Sequence, residues 1–342
     1  MEESELEVAA EDVHAQHGEG HLSFSYRPAG VRSVAVFWRR FFGFAVDFLI
    51  LGAAGLALGL FFGALFARMG NWGKLVGLAM ALLYFVPLDS AMGDGQTFGK
   101  KLLKVKVVDG KGETIPVGLS ALRFLIVAGP IFLNGLNFSY DGPNMLYLYL
   151  VAVIIFGIGG GIVYLSIFNV NTRQSLHDLI CGTYVVRADS EGRPTGKSVA
   201  TLHYIVYTAY FACLIAFLVI GVPRLVSMDL FQDLTRVQSE LERVSGVRSS
   251  SVIAGKYVIG GGGKRYLKAT VYLESKPESF HDVIDKSARA VFRSYPEIGK
   301  TDSLVIVADY GYDIGVYSSH QSFFNSKPPG DWARDLGMKA GT

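Results

Sequence analysis

Apolar residues run along this chain in long stretches that are separated by short polar connections. There are five stretches, covering residues 41–67, 75–92, 119–138, 145–168 and 199–222. Each approaches the roughly 20 apolar residues that an α-helix needs to cross the hydrocarbon core of a bilayer. The pattern predicts an α-helical transmembrane bundle of five helices. The third stretch carries Arg123, Gly129 and Pro130, and if it were re-entrant, every later segment would change sides.

Two polar connections contain segments in which apolar and polar residues alternate, as they do in β-strands. Residues 104–108 alternate and lead into the turn sequence 109–112, and residues 183–187 form a second candidate strand. We expect the two segments to pair into a small cytoplasmic β element that caps the bundle.

Beyond residue 228 the composition becomes that of a soluble domain. An amphipathic helix is predicted first, because its apolar positions recur at helical spacing. They are Leu230, Leu234, Val237, Leu241 and Val244. Segments 252–259 and 266–273 flank four glycines and predict a β-hairpin; they are followed by a helix over 278–293, a strand over 304–308 and a return strand over 314–316. Residues 228–325 are thus expected to form an extracytoplasmic α+β domain with its own core, followed by a frayed tail over 326–342.

The composition is that of an integral membrane protein. Half of the 342 residues are hydrophobic, only 18% are charged, and the mean hydropathy is +0.33. Residues 1–36 are predicted to be an acidic, disordered tail, in which His14, His17 and His21 form a solvated arm rather than a metal site. This start lacks the basic region of a signal peptide, so the first apolar stretch is expected to stay as an anchor. The net charge of +2 gives no reason to expect a nucleic acid partner.

Positive residues are unequally divided between the connections, which predicts the orientation of the chain. Lysines and arginines are concentrated before the first stretch, after the second and after the fourth. These segments are expected to be cytoplasmic. The N-terminus is then inside and the C-terminal domain outside a membrane that is most simply a bacterial inner membrane.

Charged residues inside or beside the apolar stretches are the candidate functional groups, because burying an unpaired charge in lipid is costly. Arg40 and Asp47 lie seven residues apart on one face of the first helix, and Asp47 lies about 10 Å deeper at 1.5 Å per residue. Asp47 must find a cation, a hydrogen-bond donor or a water-filled cleft, and Arg123 is the predicted partner. Asp89, at the inner end of the second helix, is expected to be an interfacial residue. Two interpretations stay open: an ion or solute path through these residues, or a buried ion pair that fixes the helices.

Gly55, Gly59 and Gly63 leave a bare groove along the first helix, as glycines at this spacing do where another element packs closely. We expect packing within the chain, and homodimerisation is the alternative. Gly157 and Gly161 offer a similar face on the fourth helix.

The sequence Gly95, Thr97, Gly99 and Lys100 resembles a phosphate-binding loop, but Asp94 and Lys101 stand where that motif needs glycine and a hydroxyl residue. We expect these glycines to allow a sharp exit from the second helix. Lys100 and Lys101 are then expected to contact anionic lipid headgroups.

His177 and Asp178 could form an orienting pair, but no nucleophile is evidently placed to use it. Asp178 is expected to cap the next helix or to pair with Arg40. Since neither a metal cluster, nor a nucleophile with a base, nor a cofactor loop is found in the sequence, we expect no enzyme, no cofactor and no metal.

Four separated motifs occur in order, at 38–47, 95–109, Arg123 and 174–183. Together they resemble the RDD family of membrane proteins over about residues 32–187. The family is named for one arginine and two aspartates, and the resemblance implies that these are Arg40, Asp47 and Asp178. It implies a polytopic membrane module with a poorly defined role, for which ligand or ion transport is suggested.

The sequence therefore predicts transport of an ion or small solute, or regulation of a transport assembly, through the charge network of Arg40, Asp47, Arg123, His177 and Asp178. The alternative is a non-catalytic scaffold whose C-terminal domain binds a protein partner. The expected partners are the lipid bilayer and, for the C-terminal domain, another protein, and a homo-oligomer is left open.

Overall fold

The computed structural model describes residues 31–136, 145–194, 198–259 and 262–338. The predicted histidine arm and three connecting segments, 137–144, 195–197 and 260–261, lie outside these residues. The N-terminal half contains the following elements: β1 (Val31–Arg32), α1 (Phe37–Met69), α2 (Lys74–Leu88), α3 (Phe98–Leu102), β2 (Val105–Asp109), α4 (Val117–Leu133), α5 (Met145–Ala152), α6 (Gly159–Phe168), α7 (Leu176–Cys181), β3 (Thr183–Arg187) and β4 (Arg193–Pro194).

Among the residues that the structure describes, three helical segments are long and apolar enough to cross a membrane. They are Phe37–Leu88, Leu146–Phe168 and Thr201–Val226, and Val117–Leu133 is a shorter apolar helix. The first segment contains both α1 and α2, joined by a 3-10 turn at Gly70–Gly73. Apolar helices therefore occur at all five predicted stretches.

The predicted β element is present. β2 and β3 are antiparallel, with Val107 opposite Val185. The chain before α1 adds to them: the Ala35 amide donates to the Val185 carbonyl and the Arg187 amide donates to the Ser33 carbonyl. The prediction of a disordered tail up to residue 36 is therefore wrong for residues 33–36, because strand β3 offers them backbone partners.

A second group of elements forms the C-terminal half: α8 (Thr201–Ala216), α9 (Val222–Val226), α10 (Asp229–Glu242), β5 (Val247–Ile259), β6 (Gly262–Leu273), α11 (Phe280–Ser294), β7 (Ser303–Asp313), β8 (Ser318–Lys327) and α12 (Pro329–Asp335). The four strands form one sheet in the order β5-β6-β7-β8, in which only β6 and β7 are parallel. Apolar residues on one face of this sheet pack against α10, α11 and α12. The predicted β5–β6 hairpin and the helix after it are thus confirmed.

Two predictions for this domain are wrong. The return strand is β8, not residues 314–316, which form the turn before it. The tail predicted to fray from residue 326 is folded through residue 338, because the Trp332 side chain is buried and its indole N–H donates to the Leu304 carbonyl at 3.0 Å. One buried aromatic ring is sufficient to dock the short helix that carries it.

The glycine face of the fourth apolar helix receives aromatic rings. Between α5 and α6 the helix has a π-helical turn at Val153–Ile158, which disturbs the ordinary backbone ladder. Tyr210 and Tyr207 of α8 donate to the carbonyls of Phe156 and Gly157 at 2.7 and 3.1 Å. A Cβ added to Gly161 would lie 2.6 Å from the Tyr207 ring. Gly161 and Gly157 therefore make room for the aromatic side chains of Tyr207 and Phe211, not for a second helix backbone.

The glycine groove of α1 is filled by the C-terminal domain. The turn between β7 and β8, with the residues before it, forms a hairpin tip at residues 312–317 that lies between α1 and α2. A Cβ added to Gly59 would lie 1.8 Å from the Tyr312 hydroxyl oxygen, and one added to Gly55 would lie 2.8 Å from the Tyr317 Cβ. On the facing helix, a Cβ added to Gly77 would lie 1.7 Å from the Ile314 carbonyl oxygen. Packing within the chain was predicted, but the occupant is a β-hairpin.

Candidate functional site

Asp47 is fully buried in α1 and is held by three hydrogen-bond donors. The Tyr84 hydroxyl donates to Oδ1 at 2.6 Å, the Gly99 amide donates to Oδ1 at 2.7 Å, and the Thr97 hydroxyl donates to Oδ2 at 2.6 Å. Hydrogen bonds from hydroxyl and amide groups compensate a buried carboxylate for its lost hydration. The prediction that Arg123 pairs with Asp47 is wrong, because Arg123 is bound to two other carboxylates.

The loop at residues 95–100 is built to reach Asp47. Thr97 is the N-cap of α3, and its hydroxyl also accepts from the Lys100 amide at 3.3 Å. Gly99 must be a glycine here, because a Cβ would lie 2.0 Å from the Gly43 carbonyl oxygen. Gly95 has a positive φ of 69° and its carbonyl accepts from the Val107 amide at 2.9 Å. The motif therefore ties α1 to β2.

Asp178 lies between two arginines at the start of α7. Arg40 donates to its Oδ2, and Arg123 donates to its Oδ1 at 2.7 Å through Nη2. The same carboxylate completes a capping box, accepting from the Ser175 amide at 3.2 Å. Both roles expected of Asp178, the helix cap and the pair with Arg40, are present. Although burial raises the pKa of this carboxyl, the attraction of Arg40 and the neighbouring cations outweighs it, so the pKa lies well below its usual range.

His177 is buried beside these groups and is neutral. Burial lowers its pKa from 6.5 to about 3, and the nearby arginines act in the same direction. Since an arginine can only donate, the contact of 3.2 Å between Arg123 Nη2 and His177 Nε2 makes Nε2 the acceptor. The proton is then on Nδ1, which donates to the Ser175 Oγ at 2.9 Å. His177 thus acts as a neutral link between the Arg123 guanidinium and the Ser175 hydroxyl.

Asp89 was predicted to be an interfacial residue, but it is buried and belongs to this group. Lys100 binds its carboxylate, and Arg123 Nη1 lies 3.3 Å from its Oδ2. The prediction that Lys100 contacts lipid headgroups is therefore wrong. Its ammonium group also lies over the Phe85 ring. The sequence carried a signal for this, because a carboxylate at the C-terminal end of a helix opposes the helix dipole and needs a cation.

These residues form one cluster with balanced charge, and we call it the charge cluster. Its cations are Arg40, Lys100 and Arg123, its anions are Asp47, Asp89 and Asp178, and His177 is neutral. Their side chains come from α1, α4 and α7 and from the segments that follow α2. Each ionic group has at least one partner. The cluster therefore holds the helices together at one end of the bundle through ion pairs and hydrogen bonds.

A second set of contacts holds the hairpin tip at the opposite end. Lys74, at the start of α2, is buried; its ammonium group lies 3.1 Å from the Asp313 carboxylate and also donates to the Asn134 carbonyl. Arg248 of β5 donates to the Ala67 carbonyl in the last turn of α1, where a cation complements the helix dipole. Ile314 is fully buried in the tip, and a Cβ on Gly315 would meet the Phe132 ring at 2.5 Å.

Metal-binding geometry is absent from the part of the chain that the structure describes: no group of three or more His, Cys, Asp or Glu side chains there could hold an ion. The carboxylates of the charge cluster face cations and hydroxyl groups instead.

Comparison with known proteins gives one match. No curated protein and no solved structure matches this chain. Residues 34–182 match the RDD family, a range that holds every member of the charge cluster and excludes the α+β domain that docks on it. This part of the chain is an RDD family domain, as the four sequence motifs predicted.

Proposed function

We propose that this protein is a membrane scaffold of five spans that holds its C-terminal α+β domain outside the cytoplasm in a fixed position for a protein partner. The helices α1, α2, α4, α5 with α6, and α8 with α9 are the spans. The distribution of lysine and arginine supports a cytoplasmic charge cluster and an outward-facing domain, and a bacterial inner membrane suits this arrangement.

One observation carries the proposal: the hairpin tip is packed between two spans as part of the bundle. The tip lies against five glycines of α1, α2 and the 3-10 turn between them, namely Gly55, Gly59, Gly63, Gly73 and Gly77. Val316 packs against the apolar cluster that contains Leu51 and Phe132. A domain held in this way cannot rotate freely about its linker, as a tethered binding domain otherwise would.

A disulfide lock tests whether function needs this hairpin tip to move. Gly55→Cys with Tyr317→Cys places two Cβ atoms close to the 3.5–4.5 Å that a disulfide needs after a small relaxation. In native membranes, a photo-crosslinking residue at the exposed Phe324 reports partner binding. We expect the oxidised, locked protein to give the same crosslinked product as the reduced one, with Gly55→Cys alone as the control.

Loss of the product on oxidation would contradict a fixed scaffold and would favour a domain that moves. If photo-crosslinking residues around the exposed surface of the domain give no product with another protein, the scaffold proposal fails.

Transport is the second candidate, and Asp47 favours it. In the described residues this carboxylate is bound by hydroxyl and amide donors rather than by a cation, so it could take up a proton or a small cation. Asp47→Asn should then abolish proton, Na⁺ or K⁺ flux in reconstituted vesicles while the protein stays inserted and folded. Unchanged flux, or no flux through the parent protein, would remove Asp47 from any path; Asp94→Asn, at an exposed residue, is the control.

A further inference from the structure

A cavity of about 460 Å³ lies between α2 and α4, beside the hairpin tip. Its body is lined by apolar side chains, among them Leu78, Ala128 and Leu133. A volume of this size lies within the range of small-molecule sites, about 300–1,000 Å³. An apolar cavity of this kind does not hold water well, and left empty it would deprive its lining of dispersion contacts.

The cavity opens towards the lipid-facing surface of the helices. Leu75, Leu125 and Tyr147 line it and are also exposed, with 53%, 48% and 45% of their surface accessible. In a chain that spans a membrane, such a surface faces acyl chains, so hydrocarbon can enter sideways between α2 and α4.

One end of this cavity carries polar and amphipathic side chains. Asn71 and Trp72, in the turn between α1 and α2, and Lys74 line that end. An exposed tryptophan at the end of a span is typical of the level of lipid headgroups. The apolar body therefore extends from headgroup level into the hydrocarbon layer.

We propose that this cavity binds one acyl chain of a membrane phospholipid, whose headgroup lies beside Asn71 and Trp72. The site is continuous with the docking of the C-terminal domain. Lys74 lines the cavity and pairs with Asp313, and Phe132 lines it and contacts Gly315 of the hairpin tip. The bound chain fills the space behind the two residues that hold the tip.

Native mass spectrometry of the full chain in detergent tests this site, with a phospholipid that has two oleoyl chains as the probe. We expect one lipid to remain bound at collision energies that remove loosely held lipid. Leu78→Trp and Leu133→Trp each put an indole ring into the cavity and should lower the bound fraction at least fivefold. Leu83→Trp, at a position 79% exposed on the same helix, is the matched control and should bind like the parent.

Equal lipid retention in all three variants would overturn the proposal, as would a parent protein that keeps no lipid. Melting curves show whether a variant is folded. Because two variants fill the cavity independently, the test still works if one of them does not fold. The disulfide lock of the hairpin tip and the crosslinking at Phe324 do not depend on this lipid, so the scaffold proposal can fail or stand separately.

Discussion

The two ends of the bundle join the same helices by opposite chemistry. At the end with the charge cluster, α1 is fixed by a carboxylate and an arginine that bind α7 and the loop after α2. At the other end, α1 and α2 are fixed by glycines against an apolar hairpin tip. In the cluster, removal of one group leaves its partner as a buried unpaired charge, whereas a change at the glycines beside the tip costs packing. Damage at the charge cluster should therefore be the more severe.

This contrast also bears on how intramembrane charges are interpreted. A buried charge marks a functional path by default, but in this charge cluster the cations and carboxylates mainly satisfy one another. Asp47 differs from the rest, because its donors are neutral. The structural and the functional interpretation thus apply to different members of the same cluster.

The largest effect is expected for Asp178→Asn. It leaves Arg40 without its carboxylate and Arg123 with Asp89 alone, and breaking a buried pair costs about 3–5 kcal/mol. Thermal unfolding of the full chain in detergent should show a large drop in melting temperature. Asp189→Asn removes a carboxylate from an exposed pair with Arg187 and should change little. Similar melting temperatures for both variants would refute the importance of the cluster.

The next effect depends on pH through His177. Between pH 6.5 and about 3 the unfolded chain binds a proton at this histidine that the folded chain does not. The free energy of unfolding therefore falls as the pH is lowered, by up to about 1.4 kcal/mol per pH unit, or about 2 kcal/mol at pH 5. The contribution of Asp178 to stability persists down to the ordinary carboxyl pKa of 3.8 and is lost as the pH falls from there towards its depressed folded pKa.

Comparison of His177→Asn with the parent protein isolates this dependence. Unfolding followed at several pH values should give a shallower acid slope for the variant. His281→Asn, at an exposed histidine, is the matched control and should keep the slope of the parent. An unchanged slope in His177→Asn would show that the buried histidine is protonated in the folded protein.

A smaller effect is expected at the hairpin tip. In Gly77→Ala the new Cβ would meet the Ile314 carbonyl oxygen at 1.7 Å, so the backbone of the tip must shift. Overpacking lowers the free energy of unfolding by about 1–3 kcal/mol. The better helix propensity of alanine offsets up to about 1 kcal/mol of this loss. The test is faster proteolysis between β7 and β8 in membranes.

Gly118→Ala in α4 provides the control, since a Cβ there meets nothing within 4 Å. This variant should be as resistant to the protease as the parent, and slightly more stable. Equal protease resistance in Gly77→Ala would mean that the tip does not lie between α1 and α2.

The smallest effect is expected for Lys74→Met, which removes the ion pair with the half-exposed Asp313 but keeps an apolar stem in place. A partly exposed pair contributes about 1 kcal/mol or less. The disulfide between Gly55→Cys and Tyr317→Cys should form more slowly in this background, since the tip is undocked more often. Lys327→Met, which removes an exposed pair with Asp335, should leave the rate unchanged.

The sequence by itself determined the apolar helices, the β2–β3 pair, the α+β domain and the family, because each rests on local periodicity or on motifs in order. The capping role of Asp178 and its pair with Arg40 were both expected, but its second arginine, Arg123, was missed. Periodicity does not show which distant groups meet. For this reason Arg123 was wrongly predicted to pair with Asp47, and Asp89 and Lys100 were wrongly predicted to lie at the membrane surface.

Only the tertiary structure decided what fills the glycine groove of α1. Gly55, Gly59 and Gly63 predict that another element packs closely against α1. The same glycine spacing would be expected for a helix, a second copy of the chain or a β-hairpin. The choice depends on which surface is complementary in shape once the whole chain is folded. Shape complementarity arises from residues more than 200 positions apart, and no local pattern records it.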